Sequence, residues 1–98
     1  MAKSKHDQIS EKLAKKFGTE YKSDIGVDIV TPDRVIEVES KPDGLDQGIR
    51  QVEHATKARY LAVPRSLKEK AVEKTEGTGI GVMSETGRII KKASRKGN

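Results

Sequence analysis

The sequence predicts an α/β domain in which helices flank a mixed β-sheet. Apolar residues recur at helical spacing near the start of the chain, and short apolar runs alternate with helical stretches in the second half. A strand, helix, strand, helix, strand order favours right-handed crossovers and parallel strand pairs. The predicted element order is α-β-β-β-α-β-α-β.

The first half of the chain supplies one helix and a hairpin. Ile9, Leu13 and Phe17 recur every four residues, so a helix capped by Ser4 or Asp7 is expected to run to about Phe17. The predicted strands of this half lie at 21–23, 26–30 and 35–40. Segment 31–34, Thr-Pro-Asp-Arg, has turn chemistry, with proline at the second turn position.

The second half supplies the crossovers. Residues 45–57 are predicted to form a second helix. Ser66, with Glu69 three residues later, has the pattern of a capping box and predicts a third helix. The remaining predicted strands are 59–63, 80–84 and 88–90.

The length and composition of the chain limit the number of domains and the kinds of site that it can form. The 98 residues suit one domain, expected over 1–92, followed by a basic flexible tail over 93–98. The absence of cysteine excludes disulfides and thiolate metal sites. No apolar run approaches the roughly 20 residues of a membrane span, and no signal peptide is recognised, so we expect a soluble cytoplasmic protein without a membrane partner.

Size and charge indicate the partners. A domain this small buries a modest core, so we expect a homodimer. The formal net charge of +5 suits an anionic partner such as nucleic acid.

Acidic residues on the predicted hairpin carry the chemistry. Side-chain alternation places Glu37, Glu39 and Lys41 on one face of their strand, opposite the apolar residues between them. Asp28 opposes its apolar neighbours in the preceding strand, so strand pairing would bring three carboxylates together. Such crowding requires a cation or a raised pKa, and Mg²⁺ prefers oxygen ligands. The alternative is that these acids form the solvated face of an antiparallel hairpin.

The two strand sequences also resemble a known superfamily. Gly-Val-Asp-Ile-Val at 26–30 and Ile-Glu-Val-Glu-Ser at 36–40 resemble the core of PD-(D/E)xK nucleases, closest to archaeal Holliday-junction-resolvase-like and restriction-endonuclease-like members. The resemblance covers roughly residues 5–75 and includes the element order. It implies a restriction-endonuclease-like core and Mg²⁺-dependent hydrolysis of DNA, duplex or branched, with Mn²⁺ as a substitute.

The resemblance assigns roles position by position. It implies that Asp28 and Glu37 are metal ligands and that the backbone carbonyl of Val38 is another. Glu39 stands where the family usually has lysine, as in some restriction enzymes of the superfamily, so we expect it to bind metal or act as a general base. Lys41, further along the same strand face, is expected to supply the missing positive charge.

The resemblance further implies an acid on the first helix. Glu11 is the first candidate, although helical geometry places it off the apolar stripe. Asp7 borders that stripe and His6 lies on it, so both stay open as alternatives. Glu20 in the following loop is a third possibility.

Polar and basic residues are candidates for nucleic-acid contacts. Gln47 and Gln51, one turn apart on the second helix, match a glutamine that family members often place near the phosphate; the alternative is that they are exposed helix formers. Arg50, Lys91 and Lys92 are expected to contact backbone phosphates. The alternative to a nuclease is a non-catalytic nucleic-acid-binding protein on the same scaffold.

Overall fold

The computed structural model describes residues 4–19, 21 and 28–94 of the chain. Within these residues it forms a small α/β domain with one five-stranded sheet. The α-helices are α1 (Lys5–Lys16), α2 (Leu45–Val52) and α3 (Lys68–Lys74), and the strands are β1 (Ile29–Val30), β2 (Arg34–Val38), β3 (Ala58–Val63), β4 (Gly81–Ser84) and β5 (Ile89–Lys91). Single 3-10 turns at Pro42–Gly44 and Arg65–Leu67 precede α2 and α3.

The sheet is mixed, as the sequence predicts. Its strand order is β1-β2-β3-β4-β5, with β2, β3 and β4 parallel. The outer strands β1 and β5 pair antiparallel with their neighbours. Parallel neighbours need a crossover connection, which α2 and α3 provide. The carboxyl ends of β2, β3 and β4 therefore meet at one edge of the sheet.

Helices cover both faces of the sheet, and each face has its own apolar core. Alternation along β2 sends Ile36 and Val38 toward α1, whereas Val35 points toward α2 and α3. The α1 core consists of Ile9, Leu13, Ala14, Ile29, Ile36, Val38, Tyr60, Ala62 and Met83. The other core consists of Val35, Leu45, Val52, Leu61, Val63, Leu67, Ala71, Ile80 and Val82.

The first helix begins and ends where the sequence predicts. The Ser4 hydroxyl caps it by accepting a 3.1 Å hydrogen bond from the N–H of Asp7. The helix ends before Gly18, whose φ of 69° is the left-handed conformation in which glycine commonly terminates helices.

Replacing Leu13 with alanine is expected to lower the free energy of unfolding by about 2–5 kcal/mol. Leu13 is fully buried in the α1 core, so the shorter side chain leaves a cavity. Urea unfolding checks this value. Lys12→Ala, at the exposed neighbouring position, is the control and should change stability by no more than about 0.5 kcal/mol. Equal effects of the two substitutions would contradict the placement of this helix.

The second helix is shorter than predicted. It ends at Val52, not at residue 57, because the N–H of Ala55 bonds to the carbonyl of Val52 in a tighter turn. The chain then reaches the sheet, where β3 begins at Ala58.

The predicted capping box is wrong. Ser66 lies inside the 3-10 turn that precedes α3, and the N-cap of α3 is Leu67, which makes no side-chain capping bond. Burial of the Leu67 side chain in the core fixes this turn and leaves Ser66 outside the cap.

Two further predictions concern segments that lie partly outside the described residues. The predicted strand at 21–23 and the start of the one at 26–30 lie largely outside them. The predicted tail is anchored at its start: the N–H of Ala93 donates to the Tyr60 hydroxyl (3.2 Å), and the N–H of Ser94 donates to the Gly79 carbonyl (2.9 Å). Among the described helices, none has the length and apolar character needed to cross a membrane.

Candidate functional site

The predicted carboxylates lie together at one end of the β1–β2 pair. Because Ile29 pairs with Ile36, Asp28 and Glu37 are the next residues along the two strands. Asp28 is 7% exposed and Glu37 is 8% exposed. The alternative that these acids form a solvated strand face is therefore wrong for both.

Each buried carboxylate is held by a backbone group of the opposite strand. The N–H of Val38 donates to Oδ2 of Asp28 at 2.9 Å, and the N–H of Asp28 donates to Oε1 of Glu37 at 3.2 Å. For Val38 the structure thus describes a contact through its N–H, whereas the resemblance implies a role for its carbonyl. These bonds fix the orientation of the two acids relative to the sheet.

Burial, together with the crowding of acids, raises the pKa values of Glu37 and Glu39. Burial, followed by the charge of Asp28, raises the pKa of Glu37 to about 8. Burial also raises the pKa of Glu39, although the nearby His6 opposes this shift. Glu37 therefore carries a proton at neutral pH, as expected for a carboxyl group beside other acids without a cation.

The Glu39 side chain lies against two glycines at the start of the second helix, Gly44 and Gly48, which together are called the glycine bed. A Cβ at Gly48 would lie 2.8 Å from Cγ of Glu39, and one at Gly44 would overlap its Oε1. The absence of side chains at both positions lets the helix approach the end of β2. The sequence interpretation missed this pair; its signal is the Gly-x-x-x-Gly spacing, with Gly48 in a helix interior where glycine costs about 1 kcal/mol.

The candidate residues of α2 divide between two sides of the helix. Gln47 and Gln51 are exposed, and each follows one of the two glycines by three residues, so both border the glycine bed. Arg50 is exposed two residues after Gly48 and lies on another side of α2. The glutamines are therefore better placed than Arg50 to contact a ligand held at Glu39.

The lysine candidates have different surroundings. Lys41 is exposed in extended backbone just beyond Glu39, before the 3-10 turn. Lys91 is not free for a phosphate, because its Nζ donates to the Thr75 hydroxyl at 2.8 Å and burial lowers its pKa. It pairs with Val82 and so faces the core beneath α3. Lys92 is exposed.

From the first helix, His6 reaches the carboxylates. Its Nε2 lies 3.0 Å from Oδ2 of Asp28, and its Nδ1 lies 3.4 Å from the Tyr21 hydroxyl. That hydroxyl donates to Oδ1 of Asp7 at 2.9 Å. Glu11, the first candidate for this place, is exposed and lies about 140° further around the helix than His6. Glu20 lies outside the described residues.

The donor set fits a hard divalent cation, although its side chains are not arranged around one. Within residues 4–19, 21 and 28–94, no three histidine or acidic side chains have the spacing of a metal-ligand group. The chemistry is nevertheless suitable, because the cluster of Asp28, Glu37 and Glu39 is made of oxygen donors. Burial, followed by the charge of Asp28, raises the pKa of Glu37, and a cation bound here would favour its charged form.

Comparisons with known proteins identify no relative of this chain. No protein-family model matches the chain, and neither a curated protein nor a solved structure matches it significantly. The buried carboxylates and the residues that hold them are therefore the basis for inferring a function.

Proposed function

We propose that this protein is a metal-dependent DNA endonuclease with a PD-(D/E)xK-type site on a restriction-endonuclease-like core. The observation that carries the proposal is the burial of Asp28 and Glu37 side by side, with Glu39 next on the same strand face. Surface acids would be solvated, and a structural buried acid would be paired with a basic side chain. Asp28 has His6 as such a partner, whereas Glu37 forms no ion pair among the residues that the structure describes. Two adjacent buried carboxyl groups are typical of a site that binds a cation.

The carboxylates of Asp28, Glu37 and Glu39 would hold Mg²⁺ or Mn²⁺. When bound, such an ion neutralises phosphate charge and lowers the pKa of water. A bound cation would favour the charged form of Glu37, whose proton would pass to solvent. Glu39 is half-buried and next along the same strand face, where it would serve either as a further ligand or as the general base that accepts a proton from the attacking water.

DNA is the partner that the surroundings favour. The net charge of +5 attracts a polyanion. Gln47 and Gln51 border the glycine bed beneath Glu39, where their amides can donate to a phosphate. Exposed Arg50 and Lys92 add charge further away. A homodimer would present two such sites and allow paired cuts.

The second candidate function is nucleic-acid binding without catalysis. The observation that favours it is Glu39, which stands where the resemblance expects the lysine that positions water. Titration of Mn²⁺ by calorimetry separates the two functions. If DNA binds while no metal binds at millimolar concentration, the non-catalytic function is correct.

Cleavage of plasmid and branched DNA with Mg²⁺ or Mn²⁺ tests the nuclease proposal. Asp28→Ala and Glu37→Ala are each expected to lower the rate by about 100-fold or more, since each removes a ligand. Lys70→Ala, at an exposed position of α3, is the control and should cleave like the wild type. Metal-dependent cleavage that is retained in both Asp28→Ala and Glu37→Ala would contradict the assignment.

A further inference from the structure

We infer that His6 is a positioning residue that fixes Asp28 for metal binding, in the place where the resemblance implies an acid. The inference rests on the proposed function, because it concerns the same site. It assigns to the imidazole a hydrogen-bonding role, with no direct contact to the metal or to DNA.

The bonds to Asp28 show how its carboxylate is oriented. Oδ2 receives both described bonds, one from Nε2 of His6 at 3.0 Å and one from the N–H of Val38 at 2.9 Å. Two donors on one oxygen fix the plane of the carboxylate and turn Oδ1 away from them. Oδ1 is therefore the atom that the inference assigns to the cation.

His6 is itself held from its other side. Its Nδ1 lies 3.4 Å from the Tyr21 hydroxyl and 3.5 Å from Oδ1 of Asp7. The Tyr21 hydroxyl donates to the same Asp7 oxygen, and Ser4 caps the N–H of Asp7. The first turn of α1 and Tyr21 thus clamp the imidazole. Hydrogen-bonding partners of this kind orient metal ligands, and their mutation typically weakens metal binding by about 10–100-fold.

The charge of the site explains why histidine suits this position. Glu37 and Glu39 already lie beside Asp28, so a further carboxylate from α1 would add to their repulsion. An imidazole N–H gives Asp28 a hydrogen-bond donor and adds no negative charge. Because the Asp28 side chain is only 9% exposed, a lost donor there is poorly replaced by water.

Metal affinity measured by calorimetry with Mn²⁺ alone tests the inference. His6→Ala is expected to bind Mn²⁺ about 10–100-fold more weakly than the wild type. His6→Gln should recover most of the affinity, because its amide can donate to Oδ2 of Asp28. Lys12→Ala, at an exposed position of α1, should bind like the wild type.

A second measurement uses the metal-free protein. Amide hydrogen exchange at Val38 should be faster in His6→Ala, because Oδ2 of Asp28, the acceptor of that N–H, is then free to move. In His6→Gln the exchange rate should return to the wild-type value, because the glutamine amide holds Oδ2 in place. Wild-type affinity and exchange in His6→Ala would overturn the inference, provided that Asp28→Ala abolishes Mn²⁺ binding. If Asp28→Ala itself binds Mn²⁺ like the wild type, the proposed function fails instead.

Discussion

Replacing Glu37 with glutamine is expected to remove a loss of stability that the wild-type protein suffers as the pH rises from 4.5 to about 8. In the folded protein the pKa of Glu37 is about 8, compared with 4.5 for an ordinary glutamate. Between these values the folded state holds a proton that the unfolded state has lost. The free energy of unfolding therefore falls with rising pH across this interval and becomes constant above it.

Glutamine reproduces the protonated form of Glu37. Its carbonyl can accept from the N–H of Asp28, as Oε1 of Glu37 does at 3.2 Å, and its amide can donate toward Glu39. The variant should match the wild type below pH 4.5 and be more stable above pH 8. Since each pKa unit is worth about 1.4 kcal/mol, the difference should reach a few kcal/mol.

Urea unfolding of both proteins in EDTA, at intervals from pH 4 to pH 9, measures this difference. Titrating groups outside the cluster are common to both proteins, so their contributions cancel in the comparison. Asp28 and Glu39 interact with Glu37, so the difference reports on the cluster as a unit. Parallel stability curves across the whole range would show that Glu37 ionises like an exposed glutamate. Such a result would also remove the electrostatic argument for a cation at this site.

Replacing Gly48 with alanine is expected to weaken the proposed Mn²⁺ binding by about tenfold or more, as disturbance of a metal site commonly does. The new Cβ would lie 2.8 Å from Cγ of Glu39, so the glutamate must leave its place over α2. An alanine in a helix interior ordinarily gains about 1 kcal/mol over glycine. Here that gain should be offset by the displacement of Glu39, so stability should change little.

A double-mutant cycle isolates this contact. In a Glu39→Ala background the obstacle is absent, so Gly48→Ala should then show the full helix gain of about 1 kcal/mol. Stability is measured by urea unfolding and Mn²⁺ affinity by calorimetry. An equal gain in both backgrounds, with unchanged metal affinity, would mean that the glycine bed has no effect on Glu39.

Local patterns are sufficient to predict part of this fold. The bounds of α1 follow from the spacing of Ile9 and Leu13 and from the Ser4 cap, which are properties of neighbouring residues. The end of α2 and the cap of α3 cannot be predicted in this way. They depend on where β3 joins the sheet and on the burial of Leu67, which are set by tertiary packing.

The candidate site, like the fold, can be predicted only in part from local patterns. Side-chain alternation along the hairpin is enough to predict that Asp28 and Glu37 lie together, and the strand pairing agrees. The depth of their burial and the contact with His6 depend on how α1 packs over the sheet, which no local pattern specifies. The resemblance implies an acid on α1 and therefore favours Glu11, which is exposed. The packing of α1 against the sheet instead places His6 beside Asp28.

Because the two apolar cores lie on opposite faces of the sheet, the carboxylate cluster depends on both of them. His6 approaches from the helix above one face, and Glu39 rests on the helix below the other. Asp28, at the sheet's edge, joins the two. A small slip of either helical layer would misalign the cluster before the domain unfolds. Affinity for the proposed metal should therefore be the most sensitive measure of how firmly the three layers of this protein are held in register.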